Sequence, residues 1–548
     1  MVENNRKPIA SLNMFPQFTT MNVIDGQAGV IIYSSLICHS LTIDNILNII
    51  IILILSGITI ATLNGDNGLI KNSGNAKEQT EISEEKEIVE MALVQAMGKN
   101  KYGNITKEGL QEKINEYAKN NNPIQVLIDG DDLAVHFTSS DRYYRVNNDG
   151  DVTKIEVKKD SNPGNIKIGI NGESLDGLSD DMAFEIWCIE DLIEWSQNYN
   201  TYKSSFIKLC QDLDFKSELS YTDAQSKSYG DINTDEKTET IIEEMQTGIG
   251  FTPISNYSSI FDGQNNEIKN IYINTEKQCG FVSSLNGGTI KNLKVSGQIT
   301  HTKSYTTNSA CGGIVGCIGS GSEVINCINN AKLKGNCFLG GIVGQSINGK
   351  IEKCINLAEI ESVNGDMGIG TGGIIGGTRG TSTIINCCNT GIIKSKSMNA
   401  AAGICGCTYS SIEINNCYNT GDILCTANSI YCLPGGILGY IQNNPANPNI
   451  EITNCYNTGY LSGRWGKGSI IAQIRIATPK VNNCFYLDSG PAQTSIATPY
   501  SKEYMQSEAF VKELNDYIKE NDDEIDTIGY SKWVFKENSY PTLELDTV

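Results

Sequence analysis

Cysteine is the residue type in this 548-residue chain with the greatest capacity for chemistry, and there are 18 of them. Such a number normally indicates disulfides in a secreted protein or metal clusters in a cytosolic one. Six of the cysteines end the same short motif, in which an apolar residue and usually an Asn come first. They are Cys327, Cys354, Cys387, Cys417, Cys455 and Cys484. Their recurrence predicts one repeated, inward-facing structural position with mostly reduced thiols.

Cysteine-ligated metal clusters do not fit the spacing. Zinc and iron–sulfur ligands usually come as C-x-x-C pairs. The closest pairs in this chain are instead Cys405-Gly-Cys407 and the adjacent Cys387 and Cys388, and neither has a second pair to complete four ligands. We therefore expect no cysteine-bound cofactor, although an occasional disulfide in a loop stays open.

One acidic segment partly resembles a Ca²⁺-binding loop. Its oxygen-bearing side chains follow the spacing of the early ligand positions of such a loop. These residues are Asp231, Asn233, Asp235 and Glu239. However, Glu236 replaces the usual turn Gly, and Ile242 replaces the final bidentate Glu. The segment is thus a weak Ca²⁺ candidate, and a polar insertion loop is the alternative.

Other catalytic or nucleic-acid-binding constellations are missing from the sequence. The chain contains only His39, His136 and His301, and the acidic residues of its second half follow no common repeat position. Its formal net charge of −21 argues against a nucleic-acid partner, because binding phosphates requires clustered Lys and Arg. We therefore predict that the protein is not an enzyme, with a β-helix enzyme acting on polysaccharides as an alternative.

The element that positions the six cysteines is a sequence repeat of about 30 residues. The Cys position is occupied by Ile271 and Leu293 in two earlier copies, which indicates an apolar site. A second motif alternates with it, as in CGGIVG (311–316), LGGIVG (339–344) and TGGIIG (371–376). Repeats that cannot bury their apolar faces alone must stack. The pattern therefore predicts a parallel β-solenoid, in which the Asn beside each ladder residue bonds its neighbours at a turn.

The paired motifs GGIVG and NCYNTG resemble the GLUG-motif repeats of bacterial surface proteins. The segment 261–274 resembles the strand that precedes such repeats, while 189–215 and 501–517 resemble the caps at their two ends. This resemblance implies a capped solenoid on a cell surface. It carries no catalytic residues.

Residues 46–63 form an uncharged, aliphatic run. At 1.5 Å per residue such a run is roughly long enough to cross the ~30 Å hydrocarbon core of a bilayer. With the polar helix that follows, it resembles the N-terminal segment of type IV pilin-like proteins of Firmicutes. The run lacks the usual Gly before the stem and the Glu at its fifth position, so a membrane anchor is the simpler interpretation. A buried helix or a cleaved signal peptide are the alternatives.

Together these features predict a mainly β chain, with a capped parallel β-solenoid (β-helix) after a transmembrane helix and a small α+β pilin-like head. The predicted domains are an N-terminal extension (1–45), a stem with an amphipathic helix (46–97), the head (98–158), a solenoid cap with an insertion loop (165–260), the repeats (261–490) and a C-terminal cap (491–548). We expect a membrane-anchored cell-surface adhesin or structural stalk with its C-terminal region outside the cell, binding a glycan or protein ligand. A minor pilin-like filament component is a further alternative.

Overall fold

The computed structural model describes residues 22–24, 27–29, 69–99, 105–117, 123–158, 165–169, 172–221, 245–303, 309–363, 369–396, 400–427, 432–442, 448–464, 466–474, 478–488, 496–521 and 529–545. The chain divides into two compact units, Met1–Glu85 and Lys86–Val548. In the first unit the structure gives an antiparallel pair of strands, Asn22–Ile24 and Gln27–Gly29. Helix Leu69–Lys99 begins in this unit and ends in the second. The proposed stem, 46–63, lies outside the described residues, and none of the described helices is long and apolar enough to cross a membrane.

A small α+β head opens the second unit. Its four antiparallel strands, in spatial order, are Ile124–Asp129, Asp132–Phe137, Arg142–Val146 and Val152–Ile155. Helix Lys107–Tyr117 packs on this sheet through Leu110 and Ile114, which lie one helical turn apart and are fully buried. Two Asp-Gly turns, each with the Gly at positive φ, connect strands of the sheet.

A parallel β-solenoid fills the rest of the second unit, as predicted. Each turn passes through up to four sheets, named A to D in the order in which the chain visits them, and the seven strands of sheet D correspond to the solenoid's turns. Sheet A contains Phe184–Ile186, Ile207–Leu209, Ile260–Asp262, Thr289–Lys291, Glu323–Ile325, Lys350–Glu352, Ser382–Ile385, Ile412–Asn415, Ile450–Thr453 and Lys480–Asn482. Sheet B contains Leu213–Asp214, Glu267–Thr275, Lys294–His301, Ile328–Gly335, Ile355–Asn356, Ile360–Ser362, Cys388–Asn389, Ile393–Ser395, Tyr418–Asn419, Ile423–Cys425, Tyr456–Asn457, Leu461–Ser462, Phe485–Leu487 and Thr498–Tyr500.

The two shorter sheets carry the glycine motif. Sheet C contains Ala310–Gly312, Phe338–Gly340, Thr371–Gly372, Ala401–Ala402 and Pro434–Gly435. Sheet D contains Val282–Leu285, Val315–Ile318, Val343–Ser346, Ile375–Thr378, Cys405–Thr408, Leu438–Ile441 and Ile471–Ile474. Alternate side chains of each strand point inward, and in-register stacking places them directly above those of the preceding turn. Together they form one long apolar core.

The N-terminal end of this core is covered by helix Ile189–Gln197, followed by the short helix Tyr199–Tyr202. Trp195 from the longer helix is fully buried and contacts the rings of Tyr257, Phe261 and Phe281. A 3₁₀ turn, Glu218–Ser220, completes the cap. The aromatic cluster protects the first strands from pairing with other chains.

The C-terminal segment lies against the side of the solenoid. It contains helices Lys502–Met505 and Glu508–Glu520 and the strand pair Trp533–Val534 and Thr542–Leu543. Phe510, Leu514 and Trp533 pack on Tyr418 and Tyr456, which point outward from sheet B. The sequence resemblance predicts a cap at the end of the stack. In the structure this segment provides an apolar cover for the outward aromatic positions of the last turns.

Candidate functional site

The six repeated cysteines lie in register at the corner between sheets A and B. All are buried, from fully inaccessible to 3% exposed at Cys484. Each thiol donates to the carbonyl oxygen two residues earlier, at 3.1 to 3.3 Å. Each also lies within 3.8 Å of a carbonyl oxygen of the preceding turn, as Cys417 does at Ile384. The thiols therefore serve as small apolar groups that also satisfy backbone acceptors.

The environment of the ladder shifts the pKa values of its thiols. Burial raises the pKa of Cys327, Cys354 and Cys387 well above the ordinary value for a thiol. At Cys455 burial acts in the same direction, but interactions with Cys417 and Cys484 outweigh it and lower the pKa. A thiol must lose its proton before it can act as a nucleophile or a metal ligand. Every cysteine that the structure describes is a free thiol.

A fully buried column of asparagines, which we name the inner asparagine ladder, runs through sheet B. It consists of Asn329, Asn356, Asn389, Asn419 and Asn457. The amide nitrogen of each of the first four donates to the amide oxygen in the next turn, at 2.7 to 2.8 Å. The same nitrogen donates its other hydrogen to a carbonyl oxygen two residues later, as Asn389 does to Gly391 at 2.9 Å. The buried hydrogen bonds of these asparagines are therefore with the solenoid itself.

A second column, the corner asparagine ladder, precedes the cysteines. Its members are Asn292, Asn326, Asn386, Asn416, Asn454 and Asn483, all in the left-handed region with φ between 48° and 55°. Asn is, after Gly, the residue that best tolerates this conformation. Neighbouring side chains are hydrogen-bonded, as from Asn416 to Asn386 at 2.7 Å. The ladder also holds the C-terminal segment, because Asn386 and Asn416 donate to the carbonyls of Gly529 and Ser531.

Lys353 interrupts the corner ladder. It occupies the Asn position of its turn and has φ 52°. Among the described residues, the buried amide oxygen of Asn326 in the preceding turn has no hydrogen-bond partner. Elsewhere in the ladder this oxygen accepts from the Asn one turn later, as Asn386 does from Asn416. The Asn326 oxygen is therefore unpaired because Lys353 stands where the other turns have the donating Asn.

Replacing Lys353 by Asn is expected to stabilise the fold by about 1–2 kcal/mol, since it relieves the left-handed strain and restores one buried hydrogen bond. Urea unfolding followed by circular dichroism measures the change. The control is Lys332→Asn, at an exposed position of sheet B, which should alter stability little. An unchanged or lower stability in the Lys353 variant would show that the ladder does not determine stability at this turn.

His301 is a buried ionisable group inside the stack. It is 2% exposed. Its Cβ lies close to Gly335, so that a Cβ added at Gly335 would be 2.9 Å away from it. Among the described residues neither ring nitrogen makes a hydrogen bond of normal geometry. Burial lowers the pKa of His301, an effect that Glu276 partly offsets and Lys303 reinforces.

Acid is therefore expected to destabilise the fold through His301. The unfolded chain binds the proton more readily than the folded chain, so stability falls as the pH drops below about 6.5 toward the lower folded value. His301→Leu should make the loss of unfolding free energy between pH 7.5 and pH 5 smaller than in the wild type. Thr300→Val, a neighbouring outward position, should leave that loss unchanged. If both variants lose as much as the wild type, His301 is not responsible.

The candidate Ca²⁺ ligands Asp231, Asn233, Asp235 and Glu239 lie outside the described residues. Within the described part of the chain, no group of three or more His, Cys, Asp or Glu side chains is arranged to hold a metal ion.

Several scattered acidic residues are in ion pairs on the outer faces of the sheets. Glu352 pairs with Lys350 at 2.7 Å, and Glu359 pairs with Lys394 at 2.5 Å.

A cleft of about 610 Å³ lies between the head and the solenoid cap. Asp129, Asp212 and Asp214 line it, and each is held by a polar neighbour: Ser217, Lys269 and Asn270 donate to them at 2.7 to 2.8 Å. Below it, Glu218 is 4% exposed. Sequence reasoning missed this cleft, because it depends on how two segments far apart in the chain dock.

Glu218 fixes the docking of head and cap. Its carboxylate accepts from Lys107 Nζ at 2.8 and 3.1 Å and from the backbone nitrogen of Ile128 at 2.5 Å. Leu219 beside it packs on Leu127 and Tyr143 of the head sheet. The carboxylates around the cleft therefore have structural roles in this interface.

The outer face of sheet B forms an open surface where three long strands stack in register. Tyr272, Gln298 and Lys332 form one outward column. A second column contains Asn274, Thr300, Lys334, Glu361 and Lys394. These side chains are half-buried or exposed, and they repeat at the spacing of about 4.8 Å between strands. The columns together form a flat polar surface, here named the sheet B face.

Comparison with known proteins gives little further information. No protein-family model matches the chain, and no curated protein sequence matches it. Among solved structures, one titled "IgA1 Protease" aligns with 14% sequence identity and a TM-score of 0.39. The alignment covers 67% of this chain and 25% of that one, so this chain spans about a quarter of that protein's length. A likeness at this level carries no functional conclusion.

Proposed function

We propose that this chain is a membrane-anchored bacterial surface protein whose solenoid, of the GLUG-repeat kind, acts as a non-catalytic adhesin or structural stalk. The stem at 46–63 provides the anchor in this proposal, and the pilin-like head connects it to the solenoid. The observation that carries the proposal is the sheet B face. It offers regularly spaced polar side chains along an extended surface, while the repeated Cys, Asn and Gly positions are occupied by contacts within the stack.

An extended glycan is the ligand class that this surface favours. Its hydroxyl groups can bond with Gln298, Thr300 and Asn274, and the Tyr272 ring can pack against the apolar face of a sugar. Successive turns place further polar side chains at the same spacing, as suits an extended partner on a long solenoid surface. The mixture of Lys and Glu gives the face no single sign of charge.

The test is a glycan array, with host-matrix proteins in parallel, probed with the purified full-length chain. We expect binding to a polymeric glycan that falls at least tenfold in a triple variant, Gln298→Ala, Thr300→Ala and Lys332→Ala. The matched control carries Lys480→Ala and Asn482→Ala on sheet A and should bind as the wild type does. Binding only to a matrix protein would replace the glycan with a protein ligand. Uniformly negative arrays would leave a passive stalk.

A further inference from the structure

Cys425 and Cys432 differ from the ladder cysteines because they approach each other from the two ends of one loop. Cys425 ends the sheet B strand Ile423–Cys425, and Cys432 comes just before the sheet C strand Pro434–Gly435. Ladder cysteines sit in register on adjacent parallel strands about 4.8 Å apart, farther than the ~3.8 Å between Cβ atoms that a disulfide prefers. Residues from different sheets of one turn are free of that constraint.

Both cysteines lie inside the core, next to the same residue, Ser395. Cys425 is 4% exposed and Cys432 is 1% exposed, and both belong to the main apolar cluster. The Cys432 Sγ lies 3.7 Å from the carbonyl oxygen of Ser395 and 3.8 Å from its Oγ. Ser395 is the in-register neighbour of Cys425 in sheet B. The interaction with Cys432 raises the pKa of the Cys425 thiol well above its ordinary value.

We propose that Cys425 and Cys432 form a disulfide that ties sheet B to sheet C across their connecting loop. A small-molecule disulfide such as glutathione disulfide is a sufficient oxidant. The Cys432 thiolate attacks one of its sulfurs, which forms a mixed disulfide and releases one glutathione thiolate. The Cys425 sulfur, after losing its proton, then displaces the second glutathione. Two protein thiols are oxidised, the oxidant is reduced to two glutathione molecules, and both protons pass to the released thiolates.

The local chemistry suits this exchange. The interaction with Cys425 lowers the pKa of the Cys432 thiol to about 7. A thiol with a pKa near the ambient pH is the most effective attacker in disulfide exchange.

The test refolds the full-length chain from urea in a buffer of reduced and oxidised glutathione, blocks free thiols with iodoacetamide, and digests with chymotrypsin. Cleavage after Leu424, Tyr431 and Leu438 separates the two cysteines into different peptides. We expect most of Cys432 in a peptide pair linked to Cys425, which dithiothreitol separates. Recovery of both cysteines as alkylated thiols, or linkage of Cys432 to another cysteine, would overturn the proposal.

Two variants give an independent measurement. In Cys317→Ser, which changes a cysteine on sheet D, dithiothreitol should still lower the urea midpoint of the glutathione-refolded chain, because the disulfide stays intact until it is reduced. In Cys432→Ser, dithiothreitol should leave the midpoint unchanged. An equal effect of dithiothreitol on both variants would contradict the proposal, even if Cys432→Ser itself folds less stably.

Discussion

Replacing Gly373 by Ala is expected to destabilise the solenoid by about 3 kcal/mol or more, because the added methyl group has no room. Gly373 is the second glycine of the TGGIIG motif. A Cβ at this position would overlap the carbonyl oxygen of Gly403 and the amide carbon of Asn389. Neither can move aside, because the first is backbone of the next turn and the second is locked in the inner asparagine ladder.

Urea unfolding followed by circular dichroism measures this effect. Gly319→Ala is the matched control, since its Cβ would meet chiefly the Asn286 side-chain oxygen, at 2.9 Å, which can rotate away. We expect the control to lose less than about 1 kcal/mol, as most surface substitutions do. Similar losses in both variants would mean that close contact between turns does not explain the glycine motif.

Replacing Asn389 by Ala is the second change expected to have a large effect, about 3 kcal/mol or more, because it orphans several buried groups at once. The Asn356 amide nitrogen loses its acceptor, and the Asn419 amide oxygen loses its donor. The carbonyl of Gly391 loses its donor. The missing side chain also leaves a cavity against Gly373.

The control for Asn389 is Asn330→Ala, an exposed position of the same sheet. Equilibrium urea unfolding of the two variants should separate them by at least about 2 kcal/mol. A difference below about 0.5 kcal/mol would show that the buried column contributes little net stability, since water would then be compensating its lost hydrogen bonds.

The parallel solenoid could be predicted from the sequence because its signals are local and repeated. The spacing of Cys387, Cys417 and Cys455 fixes the length of a turn, and the exchange of Cys with Ile271 marks that position as apolar. The GGIxG motif indicates close approach of backbone, which the packing at Gly373 explains. Periodicity alone therefore determined the order of the turns.

The contacts between distant segments could not be predicted in this way. Nothing near Glu218 in the sequence indicates that Lys107, 111 residues earlier, binds its carboxylate. The sequence around Tyr418 and Tyr456 does not indicate which residues cover their outward rings. Only the folded chain brings Trp533 over them. Such docking depends on surface shape, which no repeat encodes.

The repeated, chemically capable side chains serve to hold the stack together. Alkylation of thiols with iodoacetamide, with and without urea and in the absence of reductant, tests this role most directly. We predict that all six ladder cysteines stay unlabelled in the folded chain and are labelled in urea; they are Cys327, Cys354, Cys387, Cys417, Cys455 and Cys484. Rapid labelling of these six in the folded chain, or protection in urea that only a reductant or a chelator removes, would contradict it.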